Sequence, residues 1–154
     1  MNLDVSLMSG AGNTFVVLDN RKHKISLNEG SELAQTLCAG NDILPRTEGM
    51  MLIDDAPAGS GLHFVMNFFN PDGSFGAMCG NGGRCAVHFA ERNGFFTATR
   101  TPEVWFSAPE TKYKAEINRM RGSVCLYFPE PEEIVFPMLL TLEGGMKLTA
   151  GYVN

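Results

Sequence analysis

A chain of 154 residues with 44% hydrophobic content can bury a core of its own, which excludes a disordered segment. Twelve Lys and Arg stand against seventeen Asp and Glu, a net charge of −5 with no basic run, so no nucleic-acid partner is expected. No apolar stretch approaches membrane-spanning length, and Asn2 and Asp4 stand where an export signal carries positive charge, so the expectation is a cytoplasmic protein with no membrane partner.

In chain order, Phe15-Val16-Val17-Leu18 is a short apolar run closed by Asp19-Asn20 and preceded by a Gly-rich loop, and it reads as a buried strand. Ser31 with Glu32 to Leu37 reads as a short capped helix ending before Gly40. Met50-Met51-Leu52-Ile53 reads as a second buried strand closed by Asp54-Asp55, and Leu62 to Phe69 as a third. Asn70-Pro71-Asp72-Gly73-Ser74 is the clearest turn, because Pro fixes φ and Gly tolerates the left-handed region. After it, Cys85, Ala86, Phe89 and Ala90 recur at helical spacing up to Gly94, which suits a C-terminal cap. Val104-Trp105-Phe106, Lys112 to Ile117 and Ser123 to Phe128 read as strands, and the prolines at 129, 131 and 137 predict an extended crossover between domains.

Four cysteines, Cys38, Cys79, Cys85 and Cys125, in a chain without an export signal are read as free thiols. Cys79 stands directly before the predicted helix, where unpaired N–H groups and the positive dipole end favour a thiolate, the form that takes a proton. Gly80, Gly82 and Gly83 let the first-turn amides approach an anion closely, so one helix end can seat both a base and a carboxylate. The plainer account is that Cys79 is a small hydrophobe packed beside a tight turn. Against it, three glycines at a helix start carry a conformational cost that packing alone seldom justifies. Cys85 is assigned to the core, Cys38 to a helix C-terminus, and Cys125, between Val124 and Leu126, to a buried and inert strand position. His88 with Cys79 and Cys85 matches no zinc spacing, so no metal site is expected. Gly10-Ala11-Gly12 fails as a dinucleotide fingerprint, lacking the third Gly and followed by a strand. Asn13 and Asn70, beside glycine and proline, read on physics alone as turn-capping asparagines.

Phe69-Asn70-Pro71-Asp72-Gly73-Ser74 and Met78-Cys79-Gly80-Asn81-Gly82-Gly83-Arg84-Cys85, with Gly10-Ala11-Gly12-Asn13-Thr14-Phe15, closely resemble the signature of diaminopimelate epimerases. The resemblance implies an α+β fold of two similar domains, each a curved mixed β-sheet wrapped around a central helix, with the active site between them. It implies a pyridoxal-independent, cofactor-free interconversion of LL- and meso-diaminopimelate, feeding lysine and peptidoglycan synthesis, in which two cysteines flank the α-carbon. Cys79 matches the first of these. Asn13 and Asn70 match residues that bind polar groups of the small-molecule substrate, and Gly80 with Asn81 match the amides that hold its α-carboxylate. A homodimer is the family's expectation for partners. Residues 1–118 would form most of the first domain and 119–154 would open an incomplete second one, so the chain is expected to be a fragment without the second catalytic cysteine.

Ser9, Thr14 and Glu48 depart from the family's usual His, Asp and Asp, and no site role is carried onto Glu48. Proline racemase-like epimerases typically have His where this chain has Asn81, and phenazine-type isomerases of the fold lack the cysteine. A further alternative is a non-catalytic half-enzyme that binds a ligand or partner.

Overall fold

In a strand, successive side chains point to opposite faces, so a run buried at every position needs cover on both sides. Phe15 to Leu18 and Met50 to Ile53 are such runs, each residue no more than 1% exposed. Phe15, Val17, Met51 and Ile53 pack into one cluster, whereas Val16, Leu18, Met50 and Leu52 pack into another on the opposite face. The computed structural model, which describes residues 3–97, 103–109 and 111–153, supplies a helix for each side.

The elements are β1 (Val5–Gly10), β2 (Asn13–Asp19), α1 (Asn20–His23), α2 (Leu27–Cys38), β3 (Met50–Asp55), β4 (Phe64–Phe69), α3 (Gly80–Arg92), β5 (Glu103–Ala108), β6 (Thr111–Asn118), β7 (Ser123–Tyr127), β8 (Ile134–Thr141) and β9 (Lys147–Val153). Strands β1 to β7 lie in sequence order in one mixed sheet, with β2·β3 and β4·β5 parallel and the other pairs antiparallel. Each parallel pair needs a crossover, and α2 and α3 provide them. Strands β2 and β4 run in opposite directions, so two right-handed crossovers moving the same way along the sheet place their helices on opposite faces. Accordingly α3 contributes Cys85, Ala86, Val87, Phe89 and Ala90 to one core, and α2 contributes Ala34 and Cys38 to the other.

A flat sheet of seven strands is about 29 Å wide between its edges, against about 10–12 Å for a helix. Yet α3 touches both edge strands, β1 and β7, as well as β2, β3 and β4. The sheet therefore curls around α3 as a half-barrel with that helix inside, as the sequence resemblance implied. The first sheet continues past Asn118 through β7, and a separate antiparallel pair, β8·β9, begins at Ile134 with Phe136, Leu139 and Met146 exposed.

Two readings are corrected, the start of the second helix and the burial of Cys125. The second helix starts at Leu27, not near Ser31: Ser26 accepts from the Glu29 amide while Glu29 accepts from the Ser26 amide, a capping box that outweighs the helix-weakening Gly30. Gly30 is placed inside the helix by packing, since a Cβ there would lie 2.7 Å from the Phe69 ring. Strand β1 lacks a clear apolar alternation because, as an edge strand, it leaves Leu7 44% exposed. Cys125 is exposed, not buried, because its neighbours Val124 and Leu126 turn towards α3 and alternation sends Cys125 to the outer face.

Candidate active site

The topology gathers four pieces of backbone at one end of the sheet. Val16 pairs with Met50 and Met50 with Phe69, so the start of β2, the segment before β3 and the end of β4 lie side by side. The Glu48 amide donates to the Thr14 carbonyl at 2.8 Å and the Val16 amide to the Gly49 carbonyl at 3.0 Å, extending that pairing beyond the strands. Helix α3 begins at the same end, after the turn that follows β4.

Cys79 is the N-cap of α3, with extended backbone at φ −99° and ψ 118°, and its Sγ accepts from the Gly82 amide at 3.4 Å. The Gly83 amide donates to the Cys79 carbonyl at 2.7 Å, closing the first turn. Helix geometry leaves the Gly80 and Asn81 amides without an intrahelical acceptor. A half-buried thiol and two N–H donors thus sit together at the positive end of a 13-residue helix. The glycines have separable causes. At Gly83 a Cβ would lie 2.4 Å from the Met78 Cε and 3.0 Å from the Leu126 side chain, so both side chains would have to shift to admit it. At Gly82 the nearest atom would be 3.5 Å away, and at Gly80 the Phe128 ring edge at 3.3 Å, so neither is demanded by close packing alone.

The hairpin β1–β2 lies against this turn. Ala11 at φ 50° and Gly12 at φ 93° are its two central residues, both left-handed, as a type I′ connection requires. Gly10 passes so close to α3 that a Cβ would be 2.7 Å from the Asn81 carbonyl oxygen and 3.0 Å from Cys85 Sγ. Asn13, the residue after the turn, accepts on Oδ1 from Asn81 Nδ2 and donates from Nδ2 to Glu48 Oε2, while Asn81 Oδ1 accepts from Arg84 Nη2. Asn13 therefore bridges three segments and does not cap its own turn.

Asn70 is at the same end of the sheet but is engaged differently. Its amide and carbonyl bond to the Ser74 carbonyl and the Gly73 amide, both at 2.9 Å, and its Nδ2 donates to Ser74 Oγ at 2.9 Å. Its Oδ1 has no partner among the described residues, and none of its hydrogen bonds reaches Cys79 or Asn81. Of the sequence-predicted site residues, Asn13, Cys79, Gly80 and Asn81 are thus brought together directly, and Asn70 lies at the same end of the sheet with its hydrogen bonds kept within its own turn. Two further side chains, Glu48 and Arg84, join this group. Arg84 was legible, since i and i+3 are neighbours on a helix. Glu48 was not, because its contact with Asn13 spans 35 residues and arises only from strand register.

The other thiols lie elsewhere. Cys38 (0% exposed) and Cys85 (4%) sit in the two separate cores, and burial pushes both thiols up from the ordinary value. Among the described residues no three His, Cys, Asp or Glu side chains are grouped to hold a metal ion.

The family model for diaminopimelate epimerase matches residues 5–118, which includes the hairpin, the Asn70 turn and α3. The chain belongs to the diaminopimelate epimerase family. The diaminopimelate epimerase of Chlorobaculum tepidum is 37% identical over 126 residues, covering 82% of this chain and 46% of the relative. That of Desulforapulum autotrophicum is 36% identical over 133 residues, covering 85% and 46%. The chain thus spans about half the length of these relatives. Among solved structures, a hydroxyproline epimerase from Agrobacterium vitis superposes with a TM-score of 0.63 at 16% identity, covering 97% of this chain and 48% of that one. A PhzF-family protein from Bacillus anthracis does so with a TM-score of 0.63 at 12% identity, covering 88% and 43%. At such identities the likeness is one of fold, and these diaminopimelate epimerase-fold proteins share the curled mixed sheet described above.

Proposed function

We propose that this chain is the Cys79-bearing half of a pyridoxal-independent diaminopimelate epimerase, interconverting LL- and meso-diaminopimelate in lysine and peptidoglycan-precursor synthesis. The observation that carries the reading is the half-buried thiol at the N-cap of α3 beside the first-turn amides, in a chain of this family. In the proposed reaction the Cys79 thiolate takes the α-proton. The S–H bond forms as Cα–H breaks, and the electron pair left on carbon delocalises into the α-carboxylate. The Gly80 and Asn81 amides oppose that growing charge, which is where fixed N–H donors contribute most. The second N–H of Asn13 Nδ2 and the Oδ1 of Asn70 are left to meet the substrate's other polar atoms. A thiol on the opposite face then protonates the carbanion and is left as thiolate, so the centre inverts with no net gain of protons.

None of the remaining thiols suits that second role. Cys38 and Cys85 are buried in cores, and Cys125 is on the face of β7 turned away from α3. We assign the second acid/base to a part of the protein beyond the described residues, with the seven-stranded sheet around α3, through β7, forming the first half-site and β8·β9 opening the second domain. The test is proton NMR of LL-diaminopimelate with the purified chain in deuterium oxide. The expected result is no inversion at the α-carbon. Inversion that disappears in Cys79→Ala would place both acid/base groups within this chain and overturn the half-site reading.

A further inference from the structure

We propose that Glu48 and Arg84 are positioning residues: as the two ends of a polarised hydrogen-bond relay through the Asn13 and Asn81 side chains, they hold the first turn of α3 in the orientation that receives a carboxylate. The proposal rests on the half-site reading above. A carboxylate can only accept hydrogen bonds and a guanidinium can only donate them. With Glu48 accepting from Asn13 at one end and Arg84 donating to Asn81 at the other, both intervening amides are fixed in one sense. Turning either amide over would set N–H against N–H, or oxygen against oxygen, at one of the links. Aligned in this way, each bond polarises the next.

The relay joins the segment before β3, the first residue of β2 and the second residue of α3. Asn81, one of its two inner members, also has its backbone confined by Gly10, leaving no room for a Cβ on that side. The side chain of Asn81 is thus tied from one direction and its carbonyl bounded from another, which fixes the two amides next to Cys79. Among the described residues neither Glu48 nor Arg84 forms an ion pair, and the relay accounts for both charges.

The probe is Cys79 alkylation by anionic iodoacetate relative to neutral iodoacetamide, a ratio that reads how well the turn receives a carboxylate beside the thiol. Glu48→Gln keeps an acceptor oxygen and is expected to hold the wild-type ratio within about twofold. Glu48→Lys puts a donor at both ends, so one link must break, and the ratio is expected to fall about tenfold. Simple attraction predicts the reverse, because the lysine adds positive charge; a ratio that rises or stays unchanged in Glu48→Lys overturns the relay. Retained protection of Cys85 establishes that the variant is folded. Should Glu48→Lys not fold, Glu48→Leu is read by the side-chain amide resonances of Asn81, which does not touch residue 48. They shift if the relay exists, and resonances that stay in place overturn it. A wild-type chain with no preference for iodoacetate overturns the carboxylate seat itself, and the Asn81 resonances then decide the relay separately.

Discussion

Replacing Gly10 by Ala tests how closely the hairpin is pressed onto the first turn of α3. The added Cβ would lie 2.7 Å from the Asn81 carbonyl oxygen, about 0.7 Å inside ordinary contact at 3.4 Å, and 3.0 Å from Cys85 Sγ. The oxygen belongs to a helical backbone and cannot swing aside, so the hairpin must lift. Overpacking of this kind costs about 1–3 kcal/mol, and losing the Asn13–Asn81 hydrogen bond adds about 1 kcal/mol. A total of about 2–4 kcal/mol corresponds to a drop of about 5–15 °C in Tm for a domain of this size. Gly12→Ala is the control: its φ of +93° makes Ala strained, but nothing lies within 4 Å of the new methyl group. It is expected to cost about 1–2 kcal/mol and to leave the site intact. Urea denaturation followed by circular dichroism gives the energies, and alkylation of Cys85 in the native state reports the lifting. A loss below about 1 kcal/mol in Gly10→Ala, with Cys85 as protected as in wild type, would refute the reasoning.

Other consequences follow from neighbouring contacts. Arg21 pairs with Asp19 at 2.7 Å, donates to the Asn93 carbonyl at the end of α3 at 2.8 Å and lies 3.6 Å from the Phe95 ring centroid, so Arg21→Ala is expected to cost about 2–3 kcal/mol in urea denaturation. The Arg21 hydrogen bond holds the Asp19 carboxyl below its ordinary 3.8; the stability this supplies is full above that value and is lost as pH falls through the lower folded value. The stability gap between wild type and Asp19→Asn, about 1 kcal/mol at pH 6, should therefore narrow below about pH 4. Ser26→Ala removes the capping box and is expected to lower stability by about 1 kcal/mol in the same assay. Mass spectrometry of natively alkylated protein should find label on Cys79 and Cys125 and none on Cys38 or Cys85, whose thiols are buried.

The parts of the fold legible in the sequence are those where local pattern and tertiary demand agree. The runs at Phe15 to Leu18 and Met50 to Ile53 read as buried strands because a helix covers each face, and Cys79 reads as a helix start because a glycine-rich turn follows it and leads into the apolar spacing that begins at Cys85. Legibility ends where packing overrides propensity. Gly30 argues against a helix until the Phe69 ring is seen to occupy the space of its missing side chain. Cys125 reads as buried from its apolar neighbours Val124 and Leu126, but in a strand these face the other way. Asn13 looked like a turn cap because sequence places it next to glycine, while its partners Glu48 and Asn81 are set by parallel pairing and by the depth at which the hairpin meets α3. The family signature marks Asn13, Cys79 and Asn81, but Glu48 enters the site only through three-dimensional register.

The central claim is that the α-carbon and α-carboxylate of diaminopimelate are received at Cys79 and the first turn of α3. Its most direct test is the rate of Cys79 alkylation by iodoacetamide in saturating meso-diaminopimelate, with Cys125 on the same chain as the internal reference and proline as the competing amino acid. The account predicts that diaminopimelate slows labelling of Cys79 and leaves Cys125 unchanged, with little effect of proline. Equal labelling of Cys79 with and without diaminopimelate, or equal protection by proline, would contradict it.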